Sequence, residues 1–256
     1  MKTADTAGPG RGPVAWLTSG LAAAVLAACQ SSGPDAGQGA SAQPVAQAVQ
    51  ASGRNAELGR KLRDAAARGD AEAVRDLLAR DAPVDAQDEQ GNTALLLATA
   101  GNHIEVARSL LLHGANPNLK NRQSDSAFLL AGAQGRLEIV RMAMSYGADL
   151  KSTNRYGGTA LIPACERGHV ETAKALIAAG VDVNHVNRLG WTCLLEAVLL
   201  SDGGPRHQAI VSELIAARAD LNLPDAQGVT ALAHARARGQ AEVVRLLQAG
   251  GAAESP

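Results

Sequence analysis

Apolar and polar positions recur along most of the chain in blocks whose starting residues are 33 positions apart. Four blocks open at Asp88, Asn121, Asn154 and Asn187, and a fifth opens at Asp225, 38 residues after Asn187. Most blocks contain a Gly-x-Thr turn, a short apolar run, a glycine and then a second stretch whose leucines form an apolar stripe. Such a stripe has the periodicity of a helix, so the pattern predicts two short helices in each block.

Particular residue types recur where such a helix pair requires them. Each first helix is preceded by a Ser or Thr that can cap its free N–H groups, and most are followed by a residue that tolerates positive φ. The candidate caps are Thr93, Ser126, Thr159, Thr192 and Thr230. The candidate helix ends are Gly69, Asn102, Gly135, Gly168 and Gly239. Small residues inside the first helices would let neighbouring helices pack closely, and they are Ala98, Ala131, Ala164, Ala197 and Ala235.

The blocks resemble the ankyrin repeat, whose pattern is a turn, Thr-Pro-Leu-His, two antiparallel helices and a loop that closes with Gly-Ala-Asp. The second copy reads DEQGNTALLLATAGNHIEVARSLLLHGANPN, and an earlier copy near Asn55 lacks the Gly-x-Thr turn. The resemblance implies an all-α solenoid of about six stacked helix-turn-helix repeats. The expected repeats are residues 55–87, 88–120, 121–153, 154–186, 187–224 and 225–252, followed by a tail at 253–256.

Three positions depart from the repeat pattern. Pro163 lies within a first helix, but in its first turn, where a missing N–H removes no hydrogen bond. Arg218 replaces the closing glycine, so its loop is expected to be irregular. An insertion around residues 201–207 is expected to lengthen the connection between the two helices of the fifth repeat.

The N-terminal residues resemble an export signal. A start that carries Lys2 and Arg11 is followed by an apolar run of about 15 residues, shorter than a membrane-spanning helix requires. The run ends in Leu26-Ala27-Ala28-Cys29, which resembles the lipobox of bacterial lipoproteins and implies removal of residues 1–28 and acylation of Cys29. Residues 29–54 are rich in Gln, Ser, Gly and Ala, which predicts a flexible linker behind the lipidated cysteine.

Composition narrows the class of function. Lys and Arg number 24 against 25 Asp and Glu, which argues against a nucleic-acid binder that depends on many phosphate contacts. Aromatic residues make up 2% of the chain, so Ala and Leu must fill the core. The sequence contains no phosphate-binding loop, zinc-protease helix motif or serine-hydrolase elbow. We therefore expect a protein that is not an enzyme and that uses no cofactor or metal.

The histidines fit structural positions better than a metal site. His103 and His169 open the second helix in the family pattern, whereas the other candidates are scattered over loops, namely His113, His185 and His207. Glu196 and His234 occupy the same position in adjacent copies, so a hydrogen bond between these two side chains is a further possibility.

Cys165 and Cys193 would face an oxidising compartment after export. Cys165 is expected in the middle of one first helix, and Cys193 at the start of the next. This offset predicts Cα atoms beyond the ~7 Å limit for a disulfide, which favours two buried thiols. A disulfide and a redox-sensing thiol remain the alternatives.

Partners of ankyrin proteins are usually held by variable residues of the turn tips and adjoining first helices on the concave face. Arg122, Arg155 and Arg188 begin three consecutive tips and are expected to form a ladder. Arg, Tyr and Trp often dominate interface energies, and an acidic protein surface would complement the ladder. Alternatively, the arginines only solvate the tips and Trp191 packs on a neighbouring loop. The candidate partner-binding residues are Arg122, Gln123, Arg155, Tyr156, Arg167, Arg188, Leu189 and Trp191.

These features together predict a monomeric, lipid-anchored scaffold that binds another protein of the bacterial cell envelope and faces the periplasm. Gln30 stands where an Asp tends to retain enteric lipoproteins in the inner membrane, which favours the outer membrane. One alternative is a secreted effector or immunity-type protein that acts on a host or rival-cell protein. Another is a redox enzyme that uses Cys165.

Overall fold

A computed structural model describes residues 43–253, and this part of the chain consists of six helix pairs joined by turns. The first helices of the pairs are α1 (Gln43–Arg68), α3 (Ala94–Ala100), α5 (Ala127–Ala133), α7 (Leu161–Glu166), α9 (Cys193–Leu199) and α11 (Ala231–Ala237). The second helices are α2 (Ala71–Ala79), α4 (Ile104–Leu112), α6 (Leu137–Ser145), α8 (Val170–Ala178), α10 (Pro205–Ala216) and α12 (Ala241–Ala249). The predicted all-α architecture of six stacked repeats is confirmed.

Each helix packs against its counterpart in the next repeat, so one apolar core runs through the stack. The predicted small residues are buried where neighbouring first helices meet, and Ala98, Ala164 and Ala197 are fully inaccessible to solvent. The second helices contribute larger side chains, such as Leu110, Leu176 and Leu214. A single repeat could not bury both sets, which is why the copies depend on one another.

The Asp or Asn that opens a repeat holds its turn tip together. In the fourth repeat, one Asn154 side-chain oxygen accepts hydrogen bonds from the backbone N–H groups of Tyr156 (2.9 Å) and Gly158 (3.0 Å). The same pair of bonds is made by Asp88, Asn121, Asn187 and Asp225 in their repeats. The tips therefore have a fixed shape, and their outward side chains are presented at regular intervals.

Helix α1 begins twelve residues before the predicted start of the first repeat. Residues 43–54, which the composition assigns to a flexible linker, are helical and continuous with α1. Alanine and glutamine are strong helix formers, and Pro44 falls in the first turn, where proline is tolerated. Within this extension, residues 51–54 are exposed to solvent.

The fourth repeat differs from the others at its cap. Ser or Thr caps the first helix by accepting an N–H hydrogen bond at Thr93, Ser126, Thr192 and Thr230. The same assignment is wrong for Thr159, because α7 is capped by Ala160 and the buried Thr159 hydroxyl has no partner. Pro163 accounts for the later start, since it has no N–H to donate to the Thr159 carbonyl, whereas the equivalent N–H groups of the other repeats donate to the carbonyl of the capping residue, as from Leu97 to Thr93.

The loop at Arg218 is regular, contrary to the expectation from the sequence. Arg218 has a φ of 59°, so it adopts the left-handed conformation that Gly180 adopts, at φ 89°, at the end of the preceding repeat. The insertion in the fifth repeat changes two features at once. It forms a connection between Leu199 and Pro205, and it also extends α10 to 12 residues, compared with 9 in α8.

Cys165 and Cys193 form a disulfide between α7 and α9. Their Cα atoms are 5.6 Å apart, within the usual range for a disulfide, so the prediction of two separate thiols is wrong. The predicted separation is too large because adjacent first helices pack with the end of one beside the start of the next, and a Cβ added at Gly132, the equivalent of Cys165, would lie 2.8 Å from the Cβ of Ala160, the equivalent of Cys193. Both cysteines are buried in the core, with at most 1% of their surface exposed.

Candidate partner-binding cleft

A cleft of about 380 Å³ opens between the turn tips and first helices of the third, fourth and fifth repeats. Apolar and proline side chains from the first helices form part of its wall, and charged and aromatic residues complete it. The lining residues are Asp125, Leu130, Ala133, Asn154, Arg155, Tyr156, Gly158, Ile162, Pro163, Glu166, Arg167, Asn187, Leu189, Trp191, Glu196 and Leu200. A volume of this size is typical of sites that enclose a side chain or small molecule.

Large apolar side chains stand exposed around the cleft. Tyr156 is 55% exposed, Leu189 51% and Leu200 48%. Trp191 is half-buried, because it packs against the core while it lines the cleft. When a partner covers apolar side chains that are clustered at a concave site, their removal from water lowers the free energy, so such a cluster marks a binding surface.

Arg155 is held at the cleft by two contacts. Its Nη1 atom lies 3.5 Å from the Asp125 carboxylate, and its guanidinium lies 5.3 Å from the centre of the Tyr156 ring. A hydrogen bond with Tyr156 and the charge of Asp125 raise the pKa of Arg155 above its ordinary value. These contacts set the direction of both Arg155 and Tyr156 before any partner arrives.

The arginine ladder is built partly from backbone contacts. Arg122, Arg155 and Arg188 are all exposed at successive tips. The Arg188 Nη1 donates to the Arg155 carbonyl oxygen at 2.9 Å, and the Arg188 N–H donates to the Tyr156 carbonyl at 2.9 Å. In the same way, the Arg122 N–H donates to the Gln90 carbonyl at 2.8 Å. The ladder therefore links adjacent tips as well as carrying charge.

Glu196 is a buried carboxylate that lines the cleft. It is 5% exposed, and it accepts a hydrogen bond of 2.8 Å from the Asn187 side chain. Burial, followed by the nearby charge of Glu166, raises the pKa of Glu196 to about 7, and the hydrogen bond from Asn187 opposes that shift. Glu166 also lines the cleft, so two carboxylates face it from neighbouring first helices.

The suggested hydrogen bond between Glu196 and His234 is absent. Instead, each side chain bonds to the residue that opens its own repeat: Glu196 to Asn187, and His234 to Asp225 at 2.6 Å. Burial would raise the pKa of Asp225, but backbone N–H groups of its turn and the His234 side chain together hold this pKa below its ordinary value. The two positions thus carry the same kind of contact, from first helix to turn tip, in successive repeats.

Five of the eight candidate partner-binding residues meet at the cleft, and they are Arg155, Tyr156, Arg167, Leu189 and Trp191. Arg122, Gln123 and Arg188 are exposed at the tips but do not line it. Arg167 is fixed beside the cleft by a 3.0 Å hydrogen bond from its Nη1 to the Ala133 carbonyl. Residues 154–200 therefore supply most of the site, with Asp125 and α5 forming one wall.

Sequence reasoning did not assign Glu166 or Asn187 to the site. A signal was available for Glu196, since it is an acidic residue at a position that is apolar in the three preceding copies, which have Leu97, Leu130 and Pro163 there. Glu166 gave no such signal, because it lies at a helix end where polar residues are ordinary.

The histidines have structural contacts. The His103 and His207 side chains each bond a backbone carbonyl of the preceding repeat, Ala67 at 3.2 Å and Glu166 at 2.9 Å. His103 and His169 lie at the N-caps of α4 and α8, as predicted. Within residues 43–253, no three His, Cys, Asp or Glu side chains are grouped closely enough to hold a metal ion.

The predicted export signal, the lipobox and the acylated Cys29 lie outside the described residues. Among the helices from Gln43 onward, none is long and apolar enough to cross a bilayer.

Comparison with known proteins places the fold. The family model for ankyrin repeats (3 copies) matches residues 62–154 and 128–215. An ankyrin repeat domain from Acinetobacter baumannii AYE is 54% identical in sequence, with a TM-score of 0.73 over 75% of this chain and 98% of that one. The ankyrin repeat protein EF0377 is 40% identical, with a TM-score of 0.72 over 74% of this chain and 97% of its own.

A curated relative shares a shorter segment. The ankyrin repeat protein YahD of Escherichia coli (strain K12) is 48% identical over 58 residues, which are 23% of this chain and 29% of YahD. The match thus spans less than a third of that relative, and it supports the repeat assignment alone. The family model covers more than half of the chain, and the helices of residues 43–253 stack in six repeated pairs. The protein therefore belongs to the ankyrin-repeat family.

Proposed function

We propose that this protein is a non-enzymatic scaffold that binds a protein partner through the cleft and the tips around it. Ankyrin repeats are an interaction fold, which supports this class of function. The observation that carries the proposal is the exposure of Tyr156, Leu189 and Leu200 around a preformed concave site. Rigid aromatic and arginine side chains at such a site lose little entropy when they bind.

We propose further that the protein acts in the bacterial cell envelope, anchored by acyl chains on Cys29 to a membrane facing the periplasm. The sequence Leu26-Ala27-Ala28-Cys29 supports the anchor. The buried disulfide between Cys165 and Cys193 supports export, because disulfides persist in oxidising compartments and are rare in the cytosol. The absence of Asp at position 30 favours the outer membrane.

The charge of the tips suggests the surface of the partner. Arg122, Arg155 and Arg188 carry exposed positive charge along one edge. A partner with acidic residues around its contact site would complement them, and these exposed contacts would chiefly affect association rate and specificity.

Capture of envelope proteins by the full chain tests the binding face. Tyr156→Ala removes a side chain that is 55% exposed at the cleft, and Tyr146→Ala removes one that is 44% exposed at the end of α6, away from it. We expect Tyr156→Ala to weaken retention of a specific partner by about tenfold or more, as at interface hot spots, and Tyr146→Ala to leave it unchanged. Equal retention by both variants would show that another face binds.

Membrane fractionation tests the anchor. We expect the full chain in the membrane fraction, labelled by a fatty-acid analogue, and Cys29→Ser without the label. Unlabelled protein in the culture medium would instead favour the secreted effector or immunity-type protein.

A further inference from the structure

We infer that the cleft receives a cationic side chain, an arginine or lysine of the protein partner, which enters between Tyr156 and Trp191 and pairs with Glu166 and Glu196. This inference rests on the proposed function and names the chemistry of its central contact. The partner residues proposed to face the arginines of the tips are acidic. The partner residue proposed to enter the cleft is basic, because carboxylates line the cleft.

The charge balance of the cleft supports a cation. Its lining contains three carboxylates, Asp125, Glu166 and Glu196, and two guanidinium groups, Arg155 and Arg167. Arg155 is paired with Asp125. Glu166 and Glu196 form no ion pair with a basic side chain of residues 43–253.

Arg167 does not form an ion pair with Glu166 or Glu196. Its Nη1 donates to the Ala133 carbonyl of the preceding repeat, and it lies within 4.0 Å of neither carboxylate. Glu196 has a hydrogen-bond donor in Asn187, but an amide supplies no charge. Two neighbouring carboxylates in a partly desolvated site attract a cation more strongly than they would in water.

The walls of the cleft suit the same ligand. Tyr156 and Trp191 line it, and aromatic faces attract guanidinium and ammonium groups. Ile162, Pro163 and Leu130 add apolar surface, against which the methylene stem of a long basic side chain can pack. The combination of an apolar wall, aromatic rings and carboxylates on the first helices fits arginine or lysine and disfavours an anionic or a purely apolar side chain.

Titration of the full chain with N-acetylarginine amide tests the inference, with N-acetylcitrulline amide as the neutral isostere and N-acetylglutamate amide as the anion. Binding is followed by NMR through the Trp191 indole and Glu196 backbone signals. We expect saturable shifts with the arginine probe, at a Kd of about 1 mM or weaker for so small a ligand, and none with the other two. Citrulline binding as tightly as arginine, or glutamate binding better, would overturn the inference.

A variant pair locates the site. Glu166→Gln/Glu196→Gln keeps the shape of both side chains and is expected to weaken arginine binding about tenfold or more. The matched control, Glu138→Gln/Glu171→Gln, changes two exposed carboxylates on second helices outside the cleft and should have no effect. Equal loss in both pairs would show that arginine responds only to net charge.

The pH dependence of binding of the arginine probe gives a further test. Because the pKa of Glu196 is raised to about 7, the arginine probe should bind about tenfold more tightly at pH 8 than at pH 6. The charged groups that line the cleft with Glu196 are Asp125, Arg155, Glu166 and Arg167, and His234, at the same position in the next repeat, is bonded to Asp225 instead. Affinity that is constant over this range would contradict a role for Glu196.

The two proposals can fail separately. If the arginine probe does not bind while Tyr156→Ala still loses the protein partner, the cation site is wrong and the binding face remains. If the probe binds but no partner depends on Tyr156, the cleft is a cation site outside the partner interface.

Discussion

At the scale of single residues, Glu196 places a titratable group where water is scarce. Its pKa lies at about 7 in the folded chain, compared with an ordinary value of 4.5. Between about pH 4.5 and pH 7, Glu196 is therefore protonated in the folded state and ionised in the unfolded chain. It follows that the contribution of this proton to stability is complete below about pH 4.5 and is lost as the pH rises through 7.

Glu196→Gln should remove this dependence, because glutamine stays neutral and can still accept the hydrogen bond from Asn187. We expect the variant to gain stability relative to the natural chain as the pH rises from 4.5 to 8, by about 3 kcal/mol in total. Urea unfolding at several pH values measures the difference. Glu138→Gln, on the exposed side of α6, serves as the control and should show little change. If the difference in free energy of unfolding between Glu196→Gln and the natural chain is equally independent of pH, Glu196 is already ionised at pH 5 in the folded state.

Arg218 adopts a conformation that most side chains avoid. Its φ of 59° is left-handed, whereas the equivalent loops of other repeats use Gly114, Gly147 and Gly180. Arg218→Gly should relieve the steric cost and raise the free energy of unfolding by about 0.5–1 kcal/mol, after the greater freedom of glycine in the unfolded chain is counted. Urea unfolding measures it, and the reverse change, Gly180→Arg, should destabilise. If Arg218→Gly destabilises instead, side-chain contacts of Arg218 outweigh its backbone cost.

At the scale of the helices, the sequence allowed the paired-helix repeat, most caps and the positive-φ positions at the ends of the first helices to be predicted, because these depend on local rules. The failures arose where local rules were overridden or where packing between repeats decides the outcome. Pro163 has no N–H to close the first turn, so α7 begins at Leu161 and Thr159 makes no cap bond. The packing of adjacent first helices places Cys165 beside Cys193, as it places Gly132 beside Ala160. The prediction of a flexible linker was also wrong for residues 43–54, which are helical, since alanine and glutamine are common in linkers but are good helix formers.

The disulfide between α7 and α9 ties together the two repeats that form most of the cleft. It closes a loop with a sequence separation of 28, so chain entropy predicts a contribution of about 2–4 kcal/mol to the free energy of unfolding. Reduction of the natural chain should lower its stability by this amount in urea unfolding. Cys165→Ala/Cys193→Ala should unfold identically with and without reductant. A natural chain that is unaffected by reduction would show that the bridge constrains nothing.

The candidate site was harder to predict than the fold, because it depends on which side chains share a cleft. The family position of each tip residue correctly brought Arg155, Tyr156 and Trp191 together. The contacts of the arginines with backbone carbonyls, and the meeting of Glu166 with Glu196, depend on the spacing of adjacent repeats. That spacing is a property of packing between helices and is not encoded in a single repeat.

At the scale of the whole molecule, stability is distributed unevenly along the stack. A repeat in the interior packs against two neighbours, and an end repeat packs against one. Helix α9 buries six residues, whereas α11 buries three and α12 two. The cleft therefore lies in the part of the solenoid with the most neighbours, and the disulfide reinforces that part.

Amide hydrogen exchange of the full chain should reflect this gradient. We expect the slowest exchange in α7 and α9 and faster exchange in α11 and α12, because local opening needs less free energy where fewer apolar side chains are buried. Mass spectrometry of peptides from each repeat measures the order, and reduction of the disulfide should narrow the difference. If α12 exchanged as slowly as α9 under both conditions, the repeats would open as one cooperative unit. The shape of the cleft would then depend on the entire stack rather than on its central repeats.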